Sequence, residues 1–212
     1  MDFSRLEREC KRWIRKELQE DAAHDIAHIE RVVKNAKAIL ENEPADRLVV
    51  VAAAWLHDCV NLPKNDPNRS HASAMAAKKA AAFLSGINFP SGKIPLVAHA
   101  VEAHSFSAGV SAQTPEAKIV QDADRLDALG AIGIARCFAV SGKLDTPIYS
   151  PDDPFCNNRE PDDSQWTLDH FYTKLFNLPD SMNTSTAKTL AEARITYMTG
   201  YIKQLAREIA YT

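Results

Sequence analysis

The chain has 212 residues, 45% hydrophobic and 25% charged, with a formal net charge of −3 at pH 7. This length and composition are typical of one soluble globular domain with an ample core. The small negative charge excludes an electrostatic case for a nucleic-acid polymer or an anionic membrane, and the longest apolar run, residues 48–56, is too short to cross a bilayer. The charged N-terminus lacks a signal-peptide pattern, so we expect a cytoplasmic protein.

Apolar residues recur at helical spacing through the first half of the chain. They predict helices over 3–19, 21–40 and 45–57, and the third, apolar all round, is expected at the centre. Residues 60–69 contain prolines and asparagines and predict a loop. Ser70 is then the predicted N-cap of an alanine-rich helix that Gly86 ends.

The second half continues with helices and one long irregular segment. Helices are predicted over 94–104, from Pro115 to 129, over 166–177 and over 184–209, with a bend or close contact at Gly130 and Gly133. Residues 142–165 hold four prolines and six acidic residues, a composition typical of a lid, a binding loop or disorder. We therefore expect a single all-α domain over 1–212, with a core over about 20–141 and C-terminal helices over 166–212 packing on it.

A histidine and an aspartate end the most apolar stretch of the chain. His57 and Asp58 directly follow residues 48–56. Burying a carboxylate beside an imidazole costs free energy unless both groups have partners. A divalent cation would supply one, because it neutralises the carboxylate and takes the imidazole lone pair. A hydrogen-bonded pair at a helix end explains the same dipeptide, so both interpretations stay open.

Three acids lie close together in an otherwise apolar helix, at Asp122, Asp124 and Asp127. Buried carboxylates need partners, so at least one should meet a metal, a base or a cap. Helical projection places Asp122 and Asp127 nearer the apolar face than Asp124. Periodicity therefore does not select Asp124 as a ligand.

The ordered set of these residues resembles a known family. His28 stands in an H-x-x-R-V context, His57-Asp58 follows an apolar helix, and Asp124 lies in Asp-Ala-Asp-Arg-Leu-Asp. This pattern resembles the H…HD…D signature of the HD-domain metal-dependent phosphohydrolases. The flanks at 57–65, 104–107, 127–136 and 170–175 resemble a small bacterial branch that includes nucleoside triphosphate pyrophosphohydrolases. The resemblance covers about residues 20–205.

The resemblance implies an all-α HD-domain helical bundle with a C-terminal helical extension. It implies one divalent metal held by His28, His57, Asp58 and Asp124, and this ligand set suits manganese, magnesium, iron, nickel or cobalt. Asp122 and Asp127 are then candidates to orient ligand imidazoles. The implied reaction is hydrolysis of a (deoxy)nucleoside triphosphate to monophosphate and pyrophosphate, with water activated by the metal. The other His-Asp pair, at 24 and 25, follows a polar helix start, and the helix dipole explains its aspartate better.

Several further residues are candidates for substrate contacts or catalysis. A phosphate-tail site is expected in the loop after the His-Asp pair, formed by Asn61, Lys64, Asn65 and Arg69. Lys64 is also a candidate catalytic residue. Arg31 and Arg125 would each contact phosphate or pair with an acid. His104 would act as general acid, hydrogen-bond the substrate or cap a helix. His170 is a weaker substrate candidate.

Other functions remain open from the sequence. A nucleotide phosphomonoesterase or phosphodiesterase would differ only in the phosphorus attacked. A di-iron HD-type oxygenase would need extra histidines between the His-Asp pair and the last Asp. His99 and His104 lie in that interval, but they are five residues apart and so do not share one face of a regular helix. A non-catalytic nucleotide sensor is the third alternative. The expected partner is a small-molecule nucleotide, with a homodimer as a further option.

Overall fold

The computed structural model describes residues 2–17, 25–60, 62, 66, 71–105 and 108–209. Within these ranges the secondary structure is helical and no strand occurs, which confirms the all-α prediction. The α-helices are α1 Phe3–Glu17, α2 Ile26–Ile39, α3 Arg47–Leu56, α4 Ala72–Gly86, α5 Ile94–Ala103, α6 Pro115–Asp127, α7 Gly130–Lys143, α8 Asp169–Thr173 and α9 Ser185–Ile209. None of the described helices combines the length and the apolarity that a bilayer span requires.

The backbone forms two compact units, Met1–Asp124 and Arg125–Thr212. The first contains α1 to α5 and most of α6, and the second contains the last turn of α6 and α7 to α9. The division inferred from the sequence, with a core reaching about residue 141, stays a prediction.

Helix α3 is the central element of the first unit. It packs against α1, α2, α4 and α5, and each of its residues from Val49 to Leu56 is buried. This confirms the prediction that the third helix is buried on every side. Asp46 begins the helix as its N-cap, because its Oδ1 accepts the backbone N–H groups of Leu48 and Val49 at 3.0 and 3.3 Å.

The helices before and after α3 begin close to the predicted positions. Asp25 is the N-cap of α2, and its Oδ1 accepts the N–H of His28 at 2.8 Å. Helix α4 begins at Ala72 with His71 in the cap position and without a side-chain cap hydrogen bond. The predicted cap of that helix, Ser70, lies outside the described residues.

The second unit is organised around α7 and α9, which pack on each other. Phe171 is fully buried and packs with the rings of Phe138, Phe176 and Tyr201, at centroid distances of 5.9 to 6.3 Å. These aromatic rings form a core, so burial of apolar surface accounts for them.

The predicted helix over 166–177 is wrong in its extent. The chain forms only the short α8 and then a 3-10 segment, Leu175–Ser181. Asn177 gives the physical reason, because its Nδ2 donates to the carbonyls of Tyr172 and Thr173 at 3.0 and 3.4 Å. These side-chain bonds satisfy carbonyls at the end of α8 and replace a continued backbone ladder.

The predicted irregular segment is confirmed as non-helical over 144–165, whereas residues 142 and 143 belong to α7 and the non-helical chain continues to 168. A buried carboxylate holds it: Asp169 is fully buried and accepts bonds from Arg159 Nη1 and Nη2 at 2.5 and 2.7 Å and from the Asp162 N–H at 2.7 Å. The segment is therefore fixed by a bidentate ion pair where regular structure is missing.

Candidate metal centre

His57 ends the central helix and its ring orientation is fixed by that helix. It is the C-cap residue of α3, and its Nδ1 lies 2.8 Å from the Ala54 carbonyl oxygen. Because a carbonyl only accepts, Nδ1 carries the proton and Nε2 keeps its lone pair. Burial lowers the pKa of His57 to about 4. The ring is therefore neutral at pH 7 and presents a free nitrogen.

His104 uses the same arrangement at the end of α5. It is the C-cap residue of that helix, and its Nδ1 lies 2.6 Å from the Val101 carbonyl oxygen. Its ring packs edge-on against His57, with centroids 4.9 Å apart. Both rings thus satisfy a carbonyl that a helix end leaves without a partner, and both direct Nε2 away from it.

The third histidine comes from α2. His28 is buried, and its Nε2 lies 3.3 Å from His57 Nε2. Two ring nitrogens that face each other at this distance need a proton or a cation between them, since two lone pairs repel.

Two carboxylates approach this pair of ring nitrogens. Asp58 Oδ2 lies 3.7 Å from His28 Nε2 and 3.8 Å from His57 Nε2. Asp124 Oδ1 lies 3.5 and 3.9 Å from the same two nitrogens. Residues distant in sequence therefore converge as two imidazoles and two carboxylates, all within the first compact unit.

Among the three acids of α6, the one near the histidines is the most exposed. The Asp124 side chain is 29% exposed, whereas Asp122 and Asp127 are 0% and 2% exposed. Asp127 Oδ2 accepts a hydrogen bond from Arg136 Nη1 at 2.7 Å. Helical projection therefore identified the two buried acids, and Asp124 instead points to the edge of the core where the histidines lie.

This donor set fits a divalent metal. The ligand atoms of His28, His57 and Asp58 all lie within 4.8 Å of one another. A metal with ligand distances of about 2.1 Å separates neighbouring ligand atoms by roughly 3.0 to 3.4 Å. The two ring nitrogens are 3.3 Å apart, and the facing carboxylate oxygens lie 3.5 to 3.9 Å from them, which is close to this range. The cluster could therefore hold one divalent ion.

Asp58 connects the cluster to His104. Its other oxygen, Oδ1, lies 3.4 Å from His104 Nε2. Burial alone would raise the pKa of Asp58, but His57, His104 and His28 hold it well below its usual value. Burial alone would lower the pKa of His104, but Asp58 raises it. The carboxylate is thus ionised, and His104 holds a proton more readily than His57 does.

Three of the remaining candidate residues lie in the part of the chain that the structure describes. Arg31 is half-buried on α2, one turn after His28. In the second unit, Arg125 Nη1 donates to the Ser181 carbonyl, and His170 Nδ1 lies 2.7 Å from Asp163 Oδ2. The predicted phosphate-tail residues lie outside the described residues: Asn61, Lys64, Asn65 and Arg69.

Sequence reasoning did not single out two buried amides beside the cluster. Asn35 and Gln121 are each 7% exposed and donate to backbone carbonyls of Ala123 and Ala103. Both lie on buried helix faces, where an amide without a partner would be costly. The sequence signal that could have identified these amides is a polar residue on an otherwise apolar helix face.

Comparison with known proteins identifies the family of this chain. The HD domain family matches residues 25–129. The uncharacterized protein YpgQ of Bacillus subtilis (strain 168) is 35% identical over 208 residues, which cover 95% of this chain and 92% of YpgQ.

Solved structures agree over nearly the whole chain. The crystal structure of Bacillus subtilis YpgQ in complex with ADP is 34% identical, covers 97% of this chain and 98% of its own, and superposes with a TM-score of 0.76. An HD-superfamily hydrolase from Bacillus thuringiensis is 36% identical, with coverages of 99% and 98% and a TM-score of 0.76. The chain therefore belongs to the HD-domain phosphohydrolase superfamily.

Proposed function

We propose that this protein is a metal-dependent nucleotide hydrolase that cleaves (deoxy)nucleoside triphosphates to the monophosphate and pyrophosphate. The observation that carries the proposal is the convergence of two imidazole ring nitrogens and two carboxylates within 3.3 to 3.9 Å. The proposed metal ligands are His28, His57, Asp58 and Asp124, and manganese is the ion we would test first.

A divalent ion at this cluster would lower the pKa of a water molecule and offset the charge that develops on the phosphoryl oxygens. The two carboxylates would balance the charge of the ion. The Ala54 carbonyl would keep His57 in the tautomer that presents Nε2, because its bond to Nδ1 fixes the ring. The chain would thus supply a preorganised cluster with little rearrangement on binding.

His104 is the proposed proton-exchanging group. It contacts Asp58 Oδ1 and is 7% exposed, so it lies beside the cluster without being part of the ligand group around His28. From this position it would hydrogen-bond the substrate, or pass a proton to the oxygen of the leaving pyrophosphate as its bond to phosphorus breaks.

Nucleotides are proposed as substrates for two reasons. The related YpgQ was crystallised in complex with ADP. The sequence around the ligands also resembles the pyrophosphohydrolase branch, which favours attack at the α-phosphorus. The phosphate tail would be held by Lys64 and Arg69, with Asn61 and Asn65, all of which follow Asp58 closely in sequence. Arg31, one turn after His28, would add a further positive charge.

The structure favours hydrolysis over the di-iron oxygenase. His99 Nε2 accepts the backbone N–H of Gln113 at 3.1 Å, so the lone pair that would bind a metal is already engaged in a hydrogen bond. Only His104 of the two extra histidines faces Asp58. The described residues therefore provide one additional imidazole at the cluster where the oxygenase would need two.

Product analysis tests the proposal. The purified protein is incubated with Mn²⁺ and each common nucleoside and deoxynucleoside triphosphate, and the products are separated by ion-exchange chromatography. We expect monophosphate and pyrophosphate in equal amounts, and no products with the Asp58→Asn variant. Asp152→Asn removes an exposed carboxylate of the 144–168 segment and should leave turnover unchanged. Stepwise release of single phosphates would contradict the pyrophosphohydrolase assignment, and absence of any turnover would contradict the proposal as a whole.

A further inference from the structure

Two buried side-chain amides connect three of the helices around the histidine and aspartate cluster, α2, α5 and α6. Asn35 Nδ2 on α2 donates to the Ala123 carbonyl on α6 at 3.0 Å. Gln121 Nε2 on α6 donates to the Ala103 carbonyl at the end of α5 at 2.8 Å. Helix α6 is therefore hydrogen-bonded to both α2 and α5.

The bond from Asn35 acts directly beside Asp124. Its acceptor, Ala123, immediately precedes Asp124 in the chain. Asn35 also follows His28 by seven residues, which places both side chains on one face of α2, two turns apart. One face of α2 therefore contacts α6 twice, through Asn35 and the Ala123 carbonyl and through His28 and the Asp124 carboxylate, 3.5 Å apart.

The bond from Gln121 joins α6 to α5. Gln121 lies one turn before Asp124, and its acceptor Ala103 is the last residue of α5. Carbonyls in the last turn of a helix have no intrahelical partner, and a buried one needs another donor. Gln121 supplies that donor and thereby ties α6 to the backbone that precedes His104.

We propose that Asn35 and Gln121 are positioning residues that set the rotation and register of α6, so that Asp124 faces His28 and His57. This inference rests on the proposed metal-binding function of the same site. Both hydrogen bonds end on a backbone carbonyl, one of α6 and one of α5, so through these bonds each amide acts on the backbone that carries the ligands. Groups that orient metal ligands typically contribute about 10- to 100-fold to metal affinity.

Metal binding measured without substrate tests this role. Asn35→Leu removes the amide and keeps a similar volume, and Gln121→Met does the same at the second position. Mn²⁺ affinity is measured by electron paramagnetic resonance of the free ion, and Co²⁺ absorption in the visible range reports ligand geometry. We expect each variant to bind Mn²⁺ roughly tenfold more weakly or worse, with an altered Co²⁺ spectrum.

A stability control separates positioning from general loosening. Ile39→Val, on α2 one turn after Asn35, removes a buried methylene and should lower stability by about 1 kcal/mol. It should leave Mn²⁺ affinity and the Co²⁺ spectrum unchanged. If Asn35→Leu does not fold, Asn35→Ser replaces it, because its shorter side chain cannot reach the Ala123 carbonyl.

The outcomes are distinct. Folded variants of Asn35 and Gln121 that bind Mn²⁺ as tightly as the wild type would overturn the positioning role, as would an equal loss in Ile39→Val. A wild-type protein that binds Mn²⁺ but hydrolyses no nucleotide would contradict the proposed function and leave the positioning role standing. A wild-type protein that binds no divalent metal would overturn both.

Discussion

Replacing Asp124 with asparagine should weaken metal binding far more than replacing any other carboxylate of α6 with its amide. The variant keeps the shape of the side chain and removes one of two negative charges beside the ring nitrogens of His28 and His57. The Asp124 side chain is 29% exposed, so we apply the dielectric constant of water. A unit negative charge about 2.1 Å from a dication then contributes about 4 kcal/mol, which corresponds to roughly a thousandfold in affinity. Titration calorimetry with Mn²⁺ measures it.

Asp127→Asn is the matched comparison. Asp127 is 2% exposed and accepts a hydrogen bond from Arg136, so its substitution breaks a buried ion pair. The expected result is a loss of about 3 kcal/mol in the free energy of unfolding, measured with urea, and Mn²⁺ affinity within about threefold of the wild type. A larger loss of Mn²⁺ affinity in Asp127→Asn than in Asp124→Asn would refute the assignment of Asp124 as the ligand.

Two further predictions concern the second unit. Gly133→Ala should destabilise the protein by at least about 2 kcal/mol, because an added Cβ would lie 2.1 Å from the Ala128 carbonyl oxygen. Gly142→Ala, in the same helix with open space around it, should stabilise the protein by about 0.5 kcal/mol. Thermal unfolding that ranks the two variants in the opposite order would refute this prediction. Arg159→Met should cost about 3 kcal/mol, since it leaves the Asp169 carboxylate buried without its cation. Burial alone would raise the pKa of Asp169, but Arg159 lowers it below 3.8. The contribution of this pair is therefore present above about pH 4 and is lost as the pH falls below that value, and urea unfolding at several pH values would show the wild type and the variant converging in acid.

The helices of the first unit were predictable because their signals are local. Apolar periodicity placed α2, α3 and α5 to within a few residues, and an unbroken apolar run correctly indicated that α3 is buried. The 166–177 segment failed because Asn177 bonds back to backbone carbonyls, and periodicity does not detect that competition.

The cluster itself was only partly accessible from periodicity. The projection of α6 placed Asp122 and Asp127 toward the apolar face, and both are buried. Asp124 was selected by family resemblance alone, because a side chain that reaches a cleft does not lie at the centre of the buried face. Its proximity to His28, 96 positions earlier, depends on how α6 packs against α2, and no local pattern encodes that packing.

The contacts of Asn35 and Gln121 were beyond sequence reasoning for the same reason. Asn35 and its acceptor lie 88 residues apart. A buried amide signals that a partner exists, but only the packed structure identifies which carbonyl accepts its hydrogen bond.

The most direct test of the proposed function follows the oxygen atom of the attacking water. A deoxynucleoside triphosphate is hydrolysed in heavy-oxygen water with Mn²⁺, and the products are examined by mass spectrometry, with Asp58→Asn as the inactive control. Attack at the α-phosphorus by water at the His28, His57, Asp58 and Asp124 cluster predicts that the label enters the monophosphate and not the pyrophosphate. Label in the pyrophosphate, or equal turnover by the Asp58→Asn variant, would contradict the account.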